Sequence, residues 1–344
     1  VSGEPISAPQ KEVINGIHIH RVFSPVSTPE QPLVKRIFQH IQAKRQLSLV
    51  LNSIDSDVIH FHDLDTAVIS LFNKISKPWI YDAHEDYSGM ISDLAWPLPT
   101  VATLLERYVV SKSDGIITVS PSIMKRLVSY GAKRRLMIFN SRTTEHFSSN
   151  VSPHEFRKEL GIDSSKLVLL YIGSLGPGRS VMEAIDAVNN GDKNHLILGG
   201  HGMWASKVSE AIRDSKNVTF LGTVPSDKLP KYFSIADVIL GMRDPGIPDH
   251  AISLPNKFFE AAAARKPIIA SSGTFVGELV LKHKLGKLAD YGSVESLLKS
   301  LDSLRDVELR MRCGESGAEL LSGKFGWKWQ ARKLNLLYNN LVKK

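Results

Sequence analysis

Two groups of residues in the second half of the chain have the types and spacing to hold a charged ligand. Lys257 and Glu260 stand three apart in the stretch Ser253-Leu-Pro-Asn-Lys-Phe-Phe-Glu-Ala-Ala-Ala-Ala-Arg-Lys-Pro-Ile-Ile-Ala-Ser-Ser272, so on a helix they share one face. Pro255 suits a first helical turn, Ser253 stands where a cap would be, and the alanines favour helix until Pro267 ends it. A helix N-terminus with a lysine beside it attracts phosphate. A carboxylate one turn further in can accept hydrogen bonds from a ribose diol; the plain alternative is a surface Lys–Glu pair. The second group is Gly173-Ser-Leu-Gly-Pro-Gly-Arg179. Its glycines let backbone amides approach a diphosphate, and Arg179 adds a charge that does not titrate. The spacing is neither the dehydrogenase fingerprint nor a Walker loop, and the plain alternative is a strand–helix turn. In the first half, His60 and His62 lie two apart on a predicted strand and point the same way. Zinc would need further ligands of fitting spacing, and none is evident, so no metal is expected and the pair reads as a cleft wall.

These residues need elements to position them, and hydrophobic periodicity supplies the elements. In the first half, strands are predicted at Gly16–Phe23 (after an Asn15-Gly16 turn), Asp57–His62, Pro78–Asp82, Gly115–Ser120 and Leu136–Phe139. Helices are predicted between them at Leu33–Ile54, Asp65–Ile75, Leu98–Ser113 and from Pro121 to Val128. After a polar linker near residue 150 the alternation restarts, with strands at Leu167–Ile172, His195–Leu198, Val218–Leu221, Val238–Met242 and Ile268–Ala270. Such alternation gives α/β architecture with parallel sheets covered on both faces, and ligands bind beyond the carboxyl ends of the strands. The residues at those ends are His60, His62, Asp63, Asp82, His84, Glu85, Ser120, Gly173, Arg179, Gly199, Gly200, Gly222 and Arg243. Glycines dominate in the second half and titratable groups in the first. The second half should therefore hold an extended anionic ligand, and the first should present its partner.

Composition sets limits. A chain of 344 residues with 42% hydrophobic and 23% charged residues fits two globular domains. No apolar run is long enough to span a bilayer, and the single cysteine, Cys313, forms no internal disulfide. The net charge of +8 includes acid-free runs at Lys35, Arg36, Lys44 and Arg45 and from Leu321 to the end. Such runs seek anionic lipid or phosphorylated ligands; without a nucleic-acid motif, nucleic acid is not expected. The expected location is the cytoplasm, with weak peripheral contact to an anionic membrane through Lys35, Arg36, Lys44 and Arg45.

Seven phrases in order carry a resemblance that spans nearly the whole chain: Asp57-Val-Ile-His-Phe-His-Asp-Leu-Asp-Thr66, Tyr81-Asp-Ala-His-Glu85, Ser113-Asp-Gly-Ile-Ile-Thr-Val-Ser120, Tyr171-Ile-Gly-Ser-Leu-Gly-Pro-Gly-Arg179, Val218-Thr-Phe-Leu-Gly-Thr-Val-Pro225, Ser234-Ile-Ala-Asp-Val238 and Leu254-Pro-Asn-Lys-Phe-Phe-Glu260. Together they resemble the GT-B glycosyltransferases of the family 4 (group 1) type. The resemblance implies two doubly wound Rossmann-like domains facing across a cleft: residues 1–147 for the acceptor, 148–324 for the nucleotide sugar, and a C-terminal helix, 325–344, crossing back. It implies donor binding by Gly173, Ser174, Gly176, Gly178, Arg179, Gly222, Val224, Ile252, Ser253, Leu254, Asn256, Lys257 and Glu260. Arg179 and Lys257 would face the diphosphate, Glu260 the ribose, and Gly222 to Val224 the base. His62, Asp63, His84 and Glu85 would line the acceptor cleft, with His84 near the transferred sugar and catalytic alongside Arg179 and Lys257. Trp327 and Trp329 are expected to anchor the last helix.

The sequence departs from that pattern in places. Ile252 stands where the family often has a glutamate, and Ser174 replaces the usual arginine of the glycine loop. Val1 to Pro5 looks like the tail of the family's second strand, so the first domain is expected to lack its opening strand–helix unit. The implied activity is metal- and cofactor-independent sugar transfer, with retention, from a nucleotide sugar to a saccharide or lipid-linked acceptor. A non-catalytic subunit of the same fold and a sugar-nucleotide epimerase remain as alternatives.

Overall fold

A computed structural model describes residues 9–22, 32–84 and 97–343. Glu85 and the segment Val1 to Pro5 lie outside these residues. Strands β1 (Lys11–Ile14) and β2 (Ile17–His20) form an antiparallel hairpin. Asn15 and Gly16 both take positive φ (51° and 80°), the two-residue turn that matches strand twist. The strand expected from Gly16 therefore starts at Ile17 and pairs with its own neighbour, because an Asn-Gly turn closes locally.

The parallel sheet of the first half runs in the order β3 (Ile59–His62), β4 (Trp79–Ala83), β5 (Gly115–Thr118), β6 (Arg135–Met137) among the described residues. The helices Leu33–Ser53, Leu98–Lys112 and Pro121–Ser129 accompany it. The helix expected over Asp65–Ile75 is shorter: Asp63–Ala67 passes into a 3₁₀ turn, Val68–Leu71. Asn73 ends it by donating to the Ile69 carbonyl, 2.8 Å away. All of β4 is buried, as a strand covered on both faces must be.

The second half forms a six-stranded parallel sheet among the described residues, built from β7 (Leu167–Ile172), β8 (Asn194–Gly199), β9 (Val218–Phe220), β10 (Val238–Leu240), β11 (Ile268–Ser271) and β12 (Gly286–Ala289). Their order is β12-β11-β10-β7-β8-β9. Val168, Leu170, Ile197 and Ile239 join the core on one face, and Leu167, Leu169, Leu196, Leu198 and Leu240 join the core on the other. Each such side chain contributes about 1.5–3 kcal/mol by leaving water. Strand β12 is not evident in sequence, since Gly-Lys-Leu-Ala carries little β preference. Gly286 is there because a side chain would meet the Ile268 carbonyl oxygen at 1.9 Å.

This order creates a switch point. From β7 the chain moves outward through β8 and β9, then returns to β10 on the other side of β7. Connections at the ends of β7 and β10 therefore diverge and leave a crevice. The last helix, Trp327–Val342, returns to the first sheet, packing Leu337 and Leu341 against Ile80 and Ile117. Lys333 Nζ also donates to the Met137 carbonyl at 2.7 Å. Trp327 and Trp329 are 45% and 50% exposed, so leucines and not tryptophans anchor this helix.

Candidate functional site

Three cations gather at the switch point. The loop after β7 carries Arg179, the residues after β10 carry Arg243, and the helix Asn256–Ala263 carries Lys257 in its first turn. Lys257 Nζ sits 4.2 Å above the Tyr171 ring, a cation–π contact. Burial foremost, and then the Arg179 and Arg243 charges, lower the Lys257 pKa to about 8, although nearby Glu260 opposes the shift. Glu260 is buried; desolvation raises its pKa against the pull of Lys257 and Arg142, and Arg142 Nη2 lies 3.9 Å from Glu260 Oε1. His250, at 7% exposure, has an Nδ1 without a partner among the described residues. Burial and the two arginines push its pKa down to about 4, so it is neutral at neutral pH.

The glycine loop makes room for these groups. A side chain at Gly173 would meet Lys257 Nζ at 2.4 Å, and one at Gly178 would meet the His250 ring at 2.7 Å. Gly173 also packs backbone to backbone on Gly200, where an added Cβ would sit 1.7 Å from the Gly173 oxygen. Gly200 N in turn donates to Gly222 O at 2.7 Å, and Val224 packs on Gly199. The glycines thus stack three strand-end loops closely enough for the cations to converge.

The first half presents a different cluster. His62 Nδ1 is 2.8 Å from His84 Nε2, and His60 Nε2 is 3.2 Å from Asp82 Oδ2. The His60 and His62 rings stack 4.5 Å apart, as side chains two apart on a strand should. Burial alone would raise the Asp82 pKa; hydrogen bonds from His60 and His84 outweigh it and hold the carboxyl down at about 2. Burial, followed by the charge of His60, lowers the pKa of His62. Asp63, with φ of 61°, turns its carboxylate to accept the His84 backbone N–H at 3.0 Å. That hydrogen bond ties the start of the helix after β3 to the end of β4.

Between the halves lies a cavity of about 530 Å³ lined by residues including His84, Asn140, Arg142, Asn256 and Trp327. It joins the imidazole cluster to the N-terminal end of the Lys257 helix. Across this cleft the chain can hold an extended anion against one wall and a polar partner against the other.

Comparison with known proteins follows the same division. Residues 153–320 match the model of the family described as glycosyl transferases group 1, and residues 3–140 match that of glycosyltransferase family 4. The chain belongs to the family 4, group 1 glycosyltransferases. An uncharacterized glycosyltransferase of Methanocaldococcus jannaschii is 26% identical over 300 residues, covering 82% of this chain and 74% of the relative. In fold, this glycosyltransferase is similar to sucrose-phosphate synthase from Thermosynechococcus elongatus, with TM-score 0.77, 17% identity and coverage of 98% and 86% of the two chains. It is also similar to Anabaena HepE, solved with UDP and glucose, with TM-score 0.73, 15% identity and coverage of 87% and 82%. The fold is the two-domain Rossmann-like GT-B arrangement.

Within the glycosyltransferase, the structure brings together Gly173, Gly178, Arg179, Lys257 and Glu260, and sets Gly222 and Val224 at the edge of the same loops. Asn256 reaches the cleft. Gly176 is a buried loop residue, and Ser174 is exposed with its carbonyl accepting from Tyr171 Oη at 2.6 Å. Three placements differ from expectation. Ser253 caps nothing: Pro255 occupies the N-cap position, and the Ser253 hydroxyl accepts from Arg243 Nη1. Leu254 is a core residue of the second half, and Ile252 packs on the core of the first. An apolar side chain at 252 thus joins the two halves where a glutamate would face ligand.

Sequence reasoning gives no role to Arg142 and His250, which carry no local signal. Arg243 and Asp82 enter it only as residues at strand ends, and Trp327, expected as an anchor of the last helix, instead lines the cavity.

Proposed function

We propose that this glycosyltransferase draws its sugar from a nucleotide sugar held by the second half and transfers it, with retention, to a saccharide or lipid-linked acceptor in the first. The observation that carries this reading is the convergence of Arg179, Arg243 and Lys257 at the switch point, with Glu260 on the same helix as Lys257. Departure of a nucleoside diphosphate builds negative charge on its oxygens. Fixed cations at a helix N-terminus stabilise that charge in place, so no metal is needed at the diphosphate. Glu260 suits the ribose hydroxyls, and the Gly222–Val224 edge suits the base. Attack from the face that the diphosphate leaves asks for no enzyme nucleophile, only a polar group such as His84 beside the sugar. Structural likeness to HepE, solved with UDP and glucose, supports a nucleotide-sugar donor.

No helix among the described residues is long and apolar enough to cross a membrane. Peripheral contact is supported by Ile41 and Phe72, both exposed and lining one pocket with Lys44 and Arg45, a mixture suited to anionic lipid. In space the basic run is not free of acid, since Lys44 Nζ lies 3.1 Å from Asp65 Oδ2.

The test is a thermal-shift panel of nucleotide sugars followed by assay of diphosphate release with and without saccharide acceptors. A bound donor at 100 times its Kd stabilises by about 2.7 kcal/mol. The reading is abandoned if no nucleotide sugar shifts the transition. Turnover equally fast without acceptor would point to epimerisation, and binding without turnover to a scaffold.

A further inference from the structure

We propose that His62, Asp82 and His84 form a binding site for one divalent transition-metal ion of the zinc type on the acceptor wall of the cleft. The three donor atoms are His62 Nδ1, His84 Nε2 and Asp82 Oδ2. They form a triangle with sides of 2.8 Å between the nitrogens, 3.3 Å from His84 to Asp82 and 3.6 Å from His62 to Asp82. A tetrahedral ion with bonds of about 2.0–2.2 Å holds its ligand atoms about 3.3–3.6 Å apart. The triangle therefore brackets the required spacing, and movements of a few tenths of an ångström would close it.

The hydrogen-bond arithmetic of the cluster points the same way. Two neutral ring nitrogens 2.8 Å apart cannot both carry a proton, so at least one directs its lone pair inward. That lone pair converges with a carboxylate oxygen. The imidazole that donates in this contact changes tautomer when an ion enters, moving its proton to the outer nitrogen. Asp82 is 7% exposed, and its second oxygen, Oδ1, is buried without a hydrogen-bond partner among the described residues. A buried carboxylate with a spare oxygen is costly unless something else meets it, and an ion can engage both oxygens.

The surroundings are those of a ligand set held in place. His60 Nε2 contacts Asp82 Oδ2 at 3.2 Å, and His60 Nδ1 meets Tyr338 Oη at 2.6 Å. Tyr338 comes from the last helix, so that helix orients His60 and His60 orients the carboxylate, the arrangement that tunes metal ligands. The side chains of His62 and His84 are 61% and 33% exposed, and His84 lines the cleft, from which an ion could enter. Two imidazoles with one carboxylate suit zinc, cobalt or iron rather than calcium or magnesium, which take oxygen. Resting on the reading of His84 as the group beside the transferred sugar, an ion here would occupy the nitrogen that transfer uses and would stop turnover.

The experiment titrates Co²⁺ into metal-free, untagged full-length protein and follows visible absorption, with Zn²⁺ as competitor. One ion per chain is expected, with the intense bands of four-coordinate cobalt. His62→Ala, at an exposed position, should abolish those bands, and Asp82→Asn should weaken binding. Tyr338→Phe should lower affinity about 10- to 100-fold, as for loss of a group that orients a ligand. No absorption change, or the same stoichiometry and affinity in His62→Ala, overturns the site. A second arm assays sugar transfer with one equivalent of Zn²⁺. Inhibition in wild type that His62→Ala relieves, relative to its own metal-free rate, supports both the site and the role of His84. Cobalt binding without inhibition keeps the site and removes His84 from the reaction.

Discussion

The two walls of the cleft are built on opposite electrostatic plans. The second half collects Arg179, Arg243 and Lys257 around glycines that let them approach, and burial with like charge brings Lys257 down to about 8. Like charges held this close repel, and a bound anion would relieve that repulsion. The first half gathers His60, His62 and His84 about the Asp82 carboxylate, and hydrogen bonds from His60 and His84 hold it ionised, with its pKa down at about 2. That wall satisfies most of its own charge. One wall concentrates positive charge, and the other gathers groups whose protons and lone pairs can be exchanged.

The comparison breaks most sharply at Arg179. Its planar fork can grip two phosphate oxygens, and charge on those oxygens grows as the glycosidic bond breaks. Arg179→Ala should lower kcat by about 10²- to 10³-fold while weakening nucleotide binding less. Unchanged turnover in steady-state kinetics would detach this loop from the chemistry. On the opposite wall, His84→Ala should lower transfer by about 10²-fold, the cost of a misplaced reacting partner, with nucleoside diphosphate affinity unchanged. Calorimetry showing a parallel loss of nucleotide affinity would mean that the two walls do not divide the work.

Glu260 offers a test of binding alone. Glu260→Ala should weaken the nucleoside diphosphate by about 1.5–3 kcal/mol, the worth of hydrogen bonds to a charged group. Equal affinity in the variant would take it out of the site. The pH profile separates the walls by sign. Lys257 is cationic below about pH 8, so its attraction for the diphosphate is full below that value and lost as pH rises through it. At limiting donor, kcat/KM should therefore fall above pH 8, toward about tenfold per pH unit. Lys257→Arg should keep its charge and remove that fall; persistence of the same slope would assign it to another group. The smallest effect expected is at the membrane patch. Lys35, Arg36, Lys44 and Arg45 should give weak, salt-sensitive binding to anionic vesicles, each base adding up to about 1 kcal/mol. The ion pair of Lys44 with Asp65 reduces its share, and absence of co-sedimentation at low salt would refute the contact.

Much of this protein was legible in one dimension because its signals are local. Strand–helix alternation fixed the two parallel sheets, and helix periodicity put Lys257 and Glu260 on one face. The β-strand period of two stacked His60 on His62. What tertiary structure decided depends on registers between segments. His62 pairs with Asp82 across β3 and β4, and no spacing along the chain announces which residue of the next strand will stand opposite. Arg243 and His250 enter the cation pocket only because β10 returns beside β7, and Trp327 reaches the cleft only because the last helix crosses to the first sheet. Ser253 looked like a cap by position, yet the helix begins two residues later, with Pro255 as its N-cap. The Ser253 hydroxyl is left to accept from Arg243, a charged donor brought to it from the loop after β10, and such hydrogen bonds are the stronger ones.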